Sequence, residues 1–258
     1  MLGRFRNYRY KTISYKADVP KPKNGQVLIV PDDNRIVDFS PYTGSDNLPS
    51  WWKSLPKGKG TLRRCQGTYD YVTQGFYVPL WTNVTIRPNI TNHHFETKLD
   101  PLDGRHFGID GFAPESSTGC PIEKVKSIES GQYIKLVTPW RFVTNRGTSL
   151  MSLPILLEPD PRYSVVPGIV HTDYYHQINV VINVHTTEEF TIPAGTPMLH
   201  LIPIKRKNNI KNIIWGNESM FRFVSASGLG VGQLVQEDKS LIYRKLQRQA
   251  DLEDDKNG

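Results

Sequence analysis

Residues 177–184 read QINVVINV, and the alternation in this stretch decides the fold class. On an extended chain successive side chains point to opposite faces, so Ile178, Val180, Ile182 and Val184 share one face. Asn179, Val181, Asn183 and His185 share the other. The first is a core face. The second carries amides and an imidazole that are costly to bury unpaired, so it faces solvent, a subunit interface or a polar pocket.

Similar short segments lie on both sides. GQVLIVP (25–31), GFYVPLWTNVTIRP (75–88) and EKVKSIESGQYIKLVTPWRFVTN (123–145) precede it. LMSLPILLEP (150–159) and SVVPGIV (164–170) stand just before it, and EEFTIPAGTPMLHLIPI (188–204) follows. Short strands at regular spacing, separated by Pro and Gly, indicate an all-β barrel or sandwich. Residues 75–88 alternate as a half-buried strand should, whereas 91–121 is rich in turn residues. Residues 1–60 read as irregular apart from the strand at 25–31, with Trp51 and Trp52 as an anchor of which at least one is buried. Only the end looks helical: in EDKSLIYRKLQRQADLEDD (237–255), Leu241, Ile242, Leu246 and Leu252 fall near helical spacing behind acidic residues. The expected organisation is a basic arm and irregular segment at 1–69, a β-barrel domain at 70–206, and a basic loop with C-terminal helix and tail at 207–258.

With 258 residues, 38% hydrophobic and 22% charged, the chain is long enough for a sizeable core and ordinary for a soluble globular protein. No apolar run approaches the roughly 18 residues that span a bilayer, and the basic N-terminus lacks a signal-peptide core. We therefore expect no membrane partner and synthesis in the cytoplasm; the three Asn-x-Ser/Thr matches are read as chance. Cys65 and Cys120 are too few and too far apart for a metal framework, and are expected as reduced thiols in or near the core. From Arg4 to Lys23 the chain carries seven Lys and Arg against one acid, Asp18, and a second basic run, IKRKNNIK, spans 204–211. Such asymmetry fits a nucleic-acid partner for the arm, or a merely solvated arm. Phe5, Tyr8, Tyr10 and Tyr15 suit an arm that packs on a neighbouring subunit.

Residues 168–204, GIVHTDYYHQINVVINVHTTEEFTIPAGTPMLHLIPI, resemble the third motif and following strands of the trimeric dUTPase and dCTP deaminase family. Gly168, Tyr174, the strand 178–184, Ile192, Gly195 and Leu201 fall in step with that pattern, and NRGTSL (145–150) looks like its phosphate-contacting motif through Arg146, Thr148 and Ser149. The resemblance covers about residues 140–204. It implies a dUTPase-like β-barrel (β-clip or jelly-roll type), a homotrimer, and a ligand site built from Arg146, Thr148, Ser149, His171, Asp173 and Tyr174. The departures are chemical. His171 stands where the family has its catalytic Asp, and Tyr175 and His176 replace the Arg-Gly that follows the aromatic residue. A neutral imidazole does not orient an attacking water as a carboxylate does. SGLGVGQ (227–233) is a faint counterpart of the family's glycine-rich arm.

The same residues also fit other chemistries. His171 and Asp173, two apart on an extended chain, match the His-x-Asp half of an iron-dependent oxygenase triad, with His185 or His200 as third ligand. His93, His94 and His106 fit a different metal or ordinary loop contacts. Arg141 and Arg146 beside Trp140 fit an anion site or guanidinium stacking. A second and longer resemblance, through SWWK, RRCQGTYDYVTQGFYVPLW, TPWRFVTNRGTSL and the segments above, is to an uncharacterised family found in tailed phages and bacteria, across most of residues 50–206. It implies relatives and a viral origin but no chemistry. The combined expectation is a non-enzymatic structural or binding protein without catalytic residues, metal or cofactor: a phage-derived virion component that assembles with copies of itself or with other virion proteins. The alternatives are a dUTPase/dCTP deaminase-like nucleotide protein and an iron oxygenase.

Overall fold

A computed structural model describes residues 21–32, 38–57, 61–89, 94–99, 113–115, 132–208, 210, 213–217, 220 and 248. The basic arm at 1–20, Cys120, His93, His106, the 227–233 glycine segment and the helix expected at 237–255 lie outside the described residues, Arg248 excepted.

The described chain is mostly β-sheet with few helices. Its strands are β1 (Leu28–Pro31), β2 (Tyr42–Thr43), β3 (Phe76–Pro79), β4 (Val84–Asn89), β5 (His94–Leu99), β6 (Ala113–Glu115) and β7 (Gln132–Val143). The second half adds β8 (Thr148–Leu153), β9 (Tyr163–Val165), β10 (Gly168–Val170), β11 (Gln177–Val184), β12 (Phe190–Ile192) and β13 (Pro197–Lys205). They form three antiparallel sheets: β1-β7-β11-β9 with β6 also on β7, then β10-β8-β13-β3-β2, and β12-β4-β5. Among the described residues no closed ring of strands is found.

The alternation read in QINVVINV is realised residue by residue. Ile178, Val180, Ile182 and Val184 are all buried, and the residues between them are half-buried. Their face joins one buried cluster with Phe142 of β7, Leu150 of β8, Ile86 of β4, Ile192 of β12 and Leu201 of β13, so all three sheets share a core. Aromatic pairs tie the sheets together: Phe76 stacks on Phe142 at 5.7 Å, and Tyr163 on Phe190 at 6.0 Å.

The register of β11 on β7 shifts between Gln177, opposite Arg141, and Asn179, opposite Val137. Pro139 lies within the shifted segment and has no N–H to give the ladder. The hydroxyl of Thr138 donates instead to the carbonyl of Ile178, at 2.6 Å. A side-chain donor thus satisfies a buried carbonyl at the irregularity, and β7 crosses it without losing its partner.

Several expectations require correction. The segment 75–88 is two strands, β3 and β4, and every residue of β3 is buried. Two short helices, α1 (Ser50–Ser54) and α2 (Gln66–Thr73), occur where no helix was expected. Their sequences, SWWKS and QGTYDYVT, carry Gly and aromatic or β-branched residues of modest helix propensity. Burial favours them instead: Trp52 and Val72 are in the interior, and the carbonyl of Val72 accepts the Tyr77 hydroxyl at 3.0 Å. The turn-rich region 91–121 contains β5 and β6. Strand β2, from the segment read as an irregular path, pairs with β3, while β1 falls within the strand expected at 25–31 and pairs with β7. Cys65 is exposed at the start of α2 and not in the core.

Two left-handed glycines separate strain from sterics. Gly25 has φ +76° with open space beside it, whereas Gly75 has φ +71° and a Cβ there would lie 2.1 Å from the carbonyl oxygen of Leu201. We expect Gly25→Ala to cost about 1 kcal/mol from backbone strain alone. Gly75→Ala should cost clearly more, because β3 must move off β13. Urea titrations of the two variants measure the difference, and equal midpoints would refute the packing account. Ile182→Ala should lower stability by about 2–5 kcal/mol in the same assay.

Candidate functional site

The turn Asn145–Gly147 links β7 to β8 and is closed by side chains: Thr148 Oγ1 donates to Asn145 Oδ1 at 2.6 Å. Gly147 takes φ +83°, which leaves its N–H turned toward the neighbouring loop. That loop follows β10, where the backbone N–H groups of Tyr174 and Tyr175 both donate to the carbonyl of His171. The third contributor is the end of β13, from which the chain passes into a single 3-10 turn at Arg206–Asn208. Because β8 lies between β10 and β13, the start of β8, the loop after β10 and the end of β13 meet at one end of the sheet.

At that meeting point Asp173 and Arg206 form a two-pronged ion pair, with Nη1 to Oδ1 at 2.6 Å and Nη2 to Oδ2 at 2.5 Å. Gly147 N–H donates to Oδ2 at 2.9 Å. The Asp173 side chain is only 3% exposed, so its charge depends on these donors. The Arg206 bonds, helped by the Gly147 N–H and opposed by burial, hold its carboxyl down from 3.8 to about 2. Arg206 Nη1 also reaches Ser149 Oγ at 3.2 Å, and its guanidinium lies 5.4 Å from the centre of the Tyr174 ring. Ser149 is fully buried and its Oγ lies 2.7 Å from Nδ1 of the exposed His171. A hydrogen-bonded chain therefore runs from His171 through Ser149 to Arg206 and Asp173.

The expected site residues divide accordingly. Ser149, His171, Asp173 and Tyr174 are brought together, all through or beside Arg206. Thr148 is adjacent but engaged elsewhere, accepting from Lys205 Nζ at 3.2 Å and donating to Asn145. Arg146 is exposed on the turn and contributes no hydrogen bond to the cluster. Arg206 was missed as a site residue because it reads as part of the basic run 204–211. Its strand neighbours Ile202 and Ile204 were the only signal that a rigid element aims it. Arg141, weighed as an anion site, pairs with Asp32 at 3.4 Å and donates to the carbonyl of Thr138.

The oxygenase triad does not assemble. His185 Nε2 contacts Ser164 Oγ at 2.9 Å. His200 is buried in a stack, 4.4 Å from the Tyr77 ring, with Nε2–H donating to the carbonyl of Gln74 at 2.7 Å. Burial shifts His200 toward its neutral form. Among the described residues no three His, Cys, Asp or Glu side chains gather as metal ligands. On the outer face of β11 the amide oxygens of Asn179 and Asn183 and the Nδ1 of His185 are enclosed without hydrogen-bond partners. The expectation that these groups avoid unpaired burial is thus corrected for the isolated chain. Compared with family models and with curated proteins, the chain matches none of either.

Asp173 ties stability to acid pH in a definite direction. Its folded pKa lies below the ordinary value, so its contribution is complete above about pH 4 and is lost as pH falls toward 2. The step should amount to about 2 kcal/mol. Arg206→Met should abolish it and cost about 3 kcal/mol at neutral pH by leaving a buried charge unpaired. Urea midpoints between pH 2 and 7 for both proteins provide the check; an unchanged acid step in the variant would refute the pairing.

Proposed function

We propose that the chain is a non-enzymatic structural or binding protein, a phage-derived virion component that works as a homo-oligomer. The observation that carries this reading is the internal saturation of the cluster. Asp173 accepts three hydrogen bonds from Arg206 and Gly147. Ser149 is buried beneath His171 and held by Arg206. A base must reach the proton it abstracts, and a nucleophile must reach its substrate. These groups reach one another. The cluster reads as a clamp that joins the turn after β7 to the end of β13.

Assembly is supported by exposed apolar side chains. Beyond β13, Ile213, Ile214 and Trp215 are 78%, 92% and 90% exposed, and consecutive apolar exposure of this kind marks association surfaces. The motif resemblance favours a trimer and a dUTPase-like barrel, with the three sheets around one core as its frame. Other virion proteins, or a nucleic acid on the basic arm, are further partners of this reading. The chain would act in the host-cell cytoplasm or in the virion. Among the described residues no helix is long and apolar enough to cross a membrane.

Light scattering on the purified protein should give a multiple of the 29.4-kDa chain mass, three being the favoured number. Trp215→Ser combined with Ile214→Ser should shift the population toward monomer. A wild-type protein that is monomeric at micromolar concentration would defeat the assembly reading. A dUTP- or dCTP-dependent rise in melting temperature that Arg206→Met removes would defeat the non-enzymatic one.

A further inference from the structure

Away from the clamp, the outer face of the second sheet carries a row of rings. Tyr42 of β2, Tyr77 of β3 and His200 of β13 are direct cross-strand neighbours. Tyr42 and Tyr77 stack with centroids 5.6 Å apart, and Tyr77 and His200 at 4.4 Å. At the His200 end the row is closed by Tyr71 of α2, edge-on at 4.8 Å. At the Tyr42 end it opens into a cleft of about 340 Å³. That size lies within the usual range for small-molecule sites, roughly 300–1,000 Å³.

The charged groups of the cleft come from different elements, the loop after β8 and α1. Glu158 stands on the loop after β8, next to Leu157, a non-glycine residue at φ +58°. Such a conformation is uncommon outside glycine and turns the loop sharply at this point. The Glu158 carboxyl forms no ion pair among the described residues, and partial desolvation raises its pKa. Glu158 lines the cleft together with Tyr42 and Tyr77. Lys53 of α1 also lines the cleft, and its ammonium donates to Asn47 Oδ1 at 3.0 Å. One negative and one positive group thus share an aromatic-walled cleft without pairing with each other.

We propose that this cleft binds a small zwitterion of the amino-acid type, its ammonium on Glu158, its carboxylate on Lys53, and its apolar side group against Tyr42. An ammonium there gains from the carboxylate and from the electron-rich ring faces together. A carboxylate at Lys53 completes the charge balance, which neither a simple amine nor a simple acid achieves. The source is a free amino acid or the end of a short peptide, which share the ammonium but differ in how far the carboxylate lies from it.

Calorimetry on the full chain separates these cases. The probes are tyrosine, tyramine without the carboxylate, 3-(4-hydroxyphenyl)propionate without the amine, the dipeptide Tyr-Gly, and glucose as a neutral polyol. Tyrosine should bind at least tenfold more tightly than tyramine or the propionate. Glu158→Gln should equalise tyrosine and the propionate, and Lys53→Met should equalise tyrosine and tyramine. Both positions are exposed, so the variants should keep the wild-type circular dichroism spectrum. Tighter binding of Tyr-Gly than of tyrosine assigns the site to a peptide end within the same proposal. No binding of any zwitterion at millimolar concentration, equal binding of all probes, or a preference for glucose would overturn it.

Discussion

Ile178, Val180, Ile182 and Val184 leave water only while β11 lies antiparallel against β7, and a slip of one residue would turn all four outward. Everything else is arranged around that register. Pro139 interrupts it and Thr138 repairs it through the Ile178 carbonyl. Strands β1, β6 and β9 add to the same pair, and the core face of β11 meets the inner faces of the other two sheets. The buried alternation therefore determines where the sheet edges and their loops end up.

The clamp at Asp173 is a consequence of that placement. Three loops that are far apart in sequence converge because β8 lies between β10 and β13. Once they converge, a carboxylate with 3% of its side chain exposed requires close donors, and Arg206 and the Gly147 N–H supply them. Polar residues that look catalytic in a line of sequence become mutual partners in space. The cleft beside Tyr42 differs in that Glu158 and Lys53 both line it and form no ion pair among the described residues.

Particular elements show where the sequence was legible. QINVVINV, the strand within GQVLIVP and the strands from 148 to 205 follow from alternation and from Pro and Gly punctuation. Burial of Trp52 follows from its bulk and its apolar surface. The helices α1 and α2 did not follow, because their residues have modest helix propensity and their stability comes from burying Trp52 and Val72. Cys65 was expected inside on the general habit of cysteine, but it is exposed at the start of α2. Within the site, His171, Asp173 and Tyr174 were legible as a cluster because they lie within four residues of one another. Arg206, 33 residues beyond Asp173, was not.

By itself, then, the sequence determined a β-rich chain, the inward face of β11 and the absence of the motif carboxylate at His171. These are local matters, set by period-two patterning and by residue identity at a given position. Only the tertiary structure decided that Arg206 pairs with Asp173, that Ser149 lies under His171, and that Glu158 and Lys53 line one cleft. Those contacts join distant segments. Their geometry depends on strand order and register, which alternation within single segments does not encode.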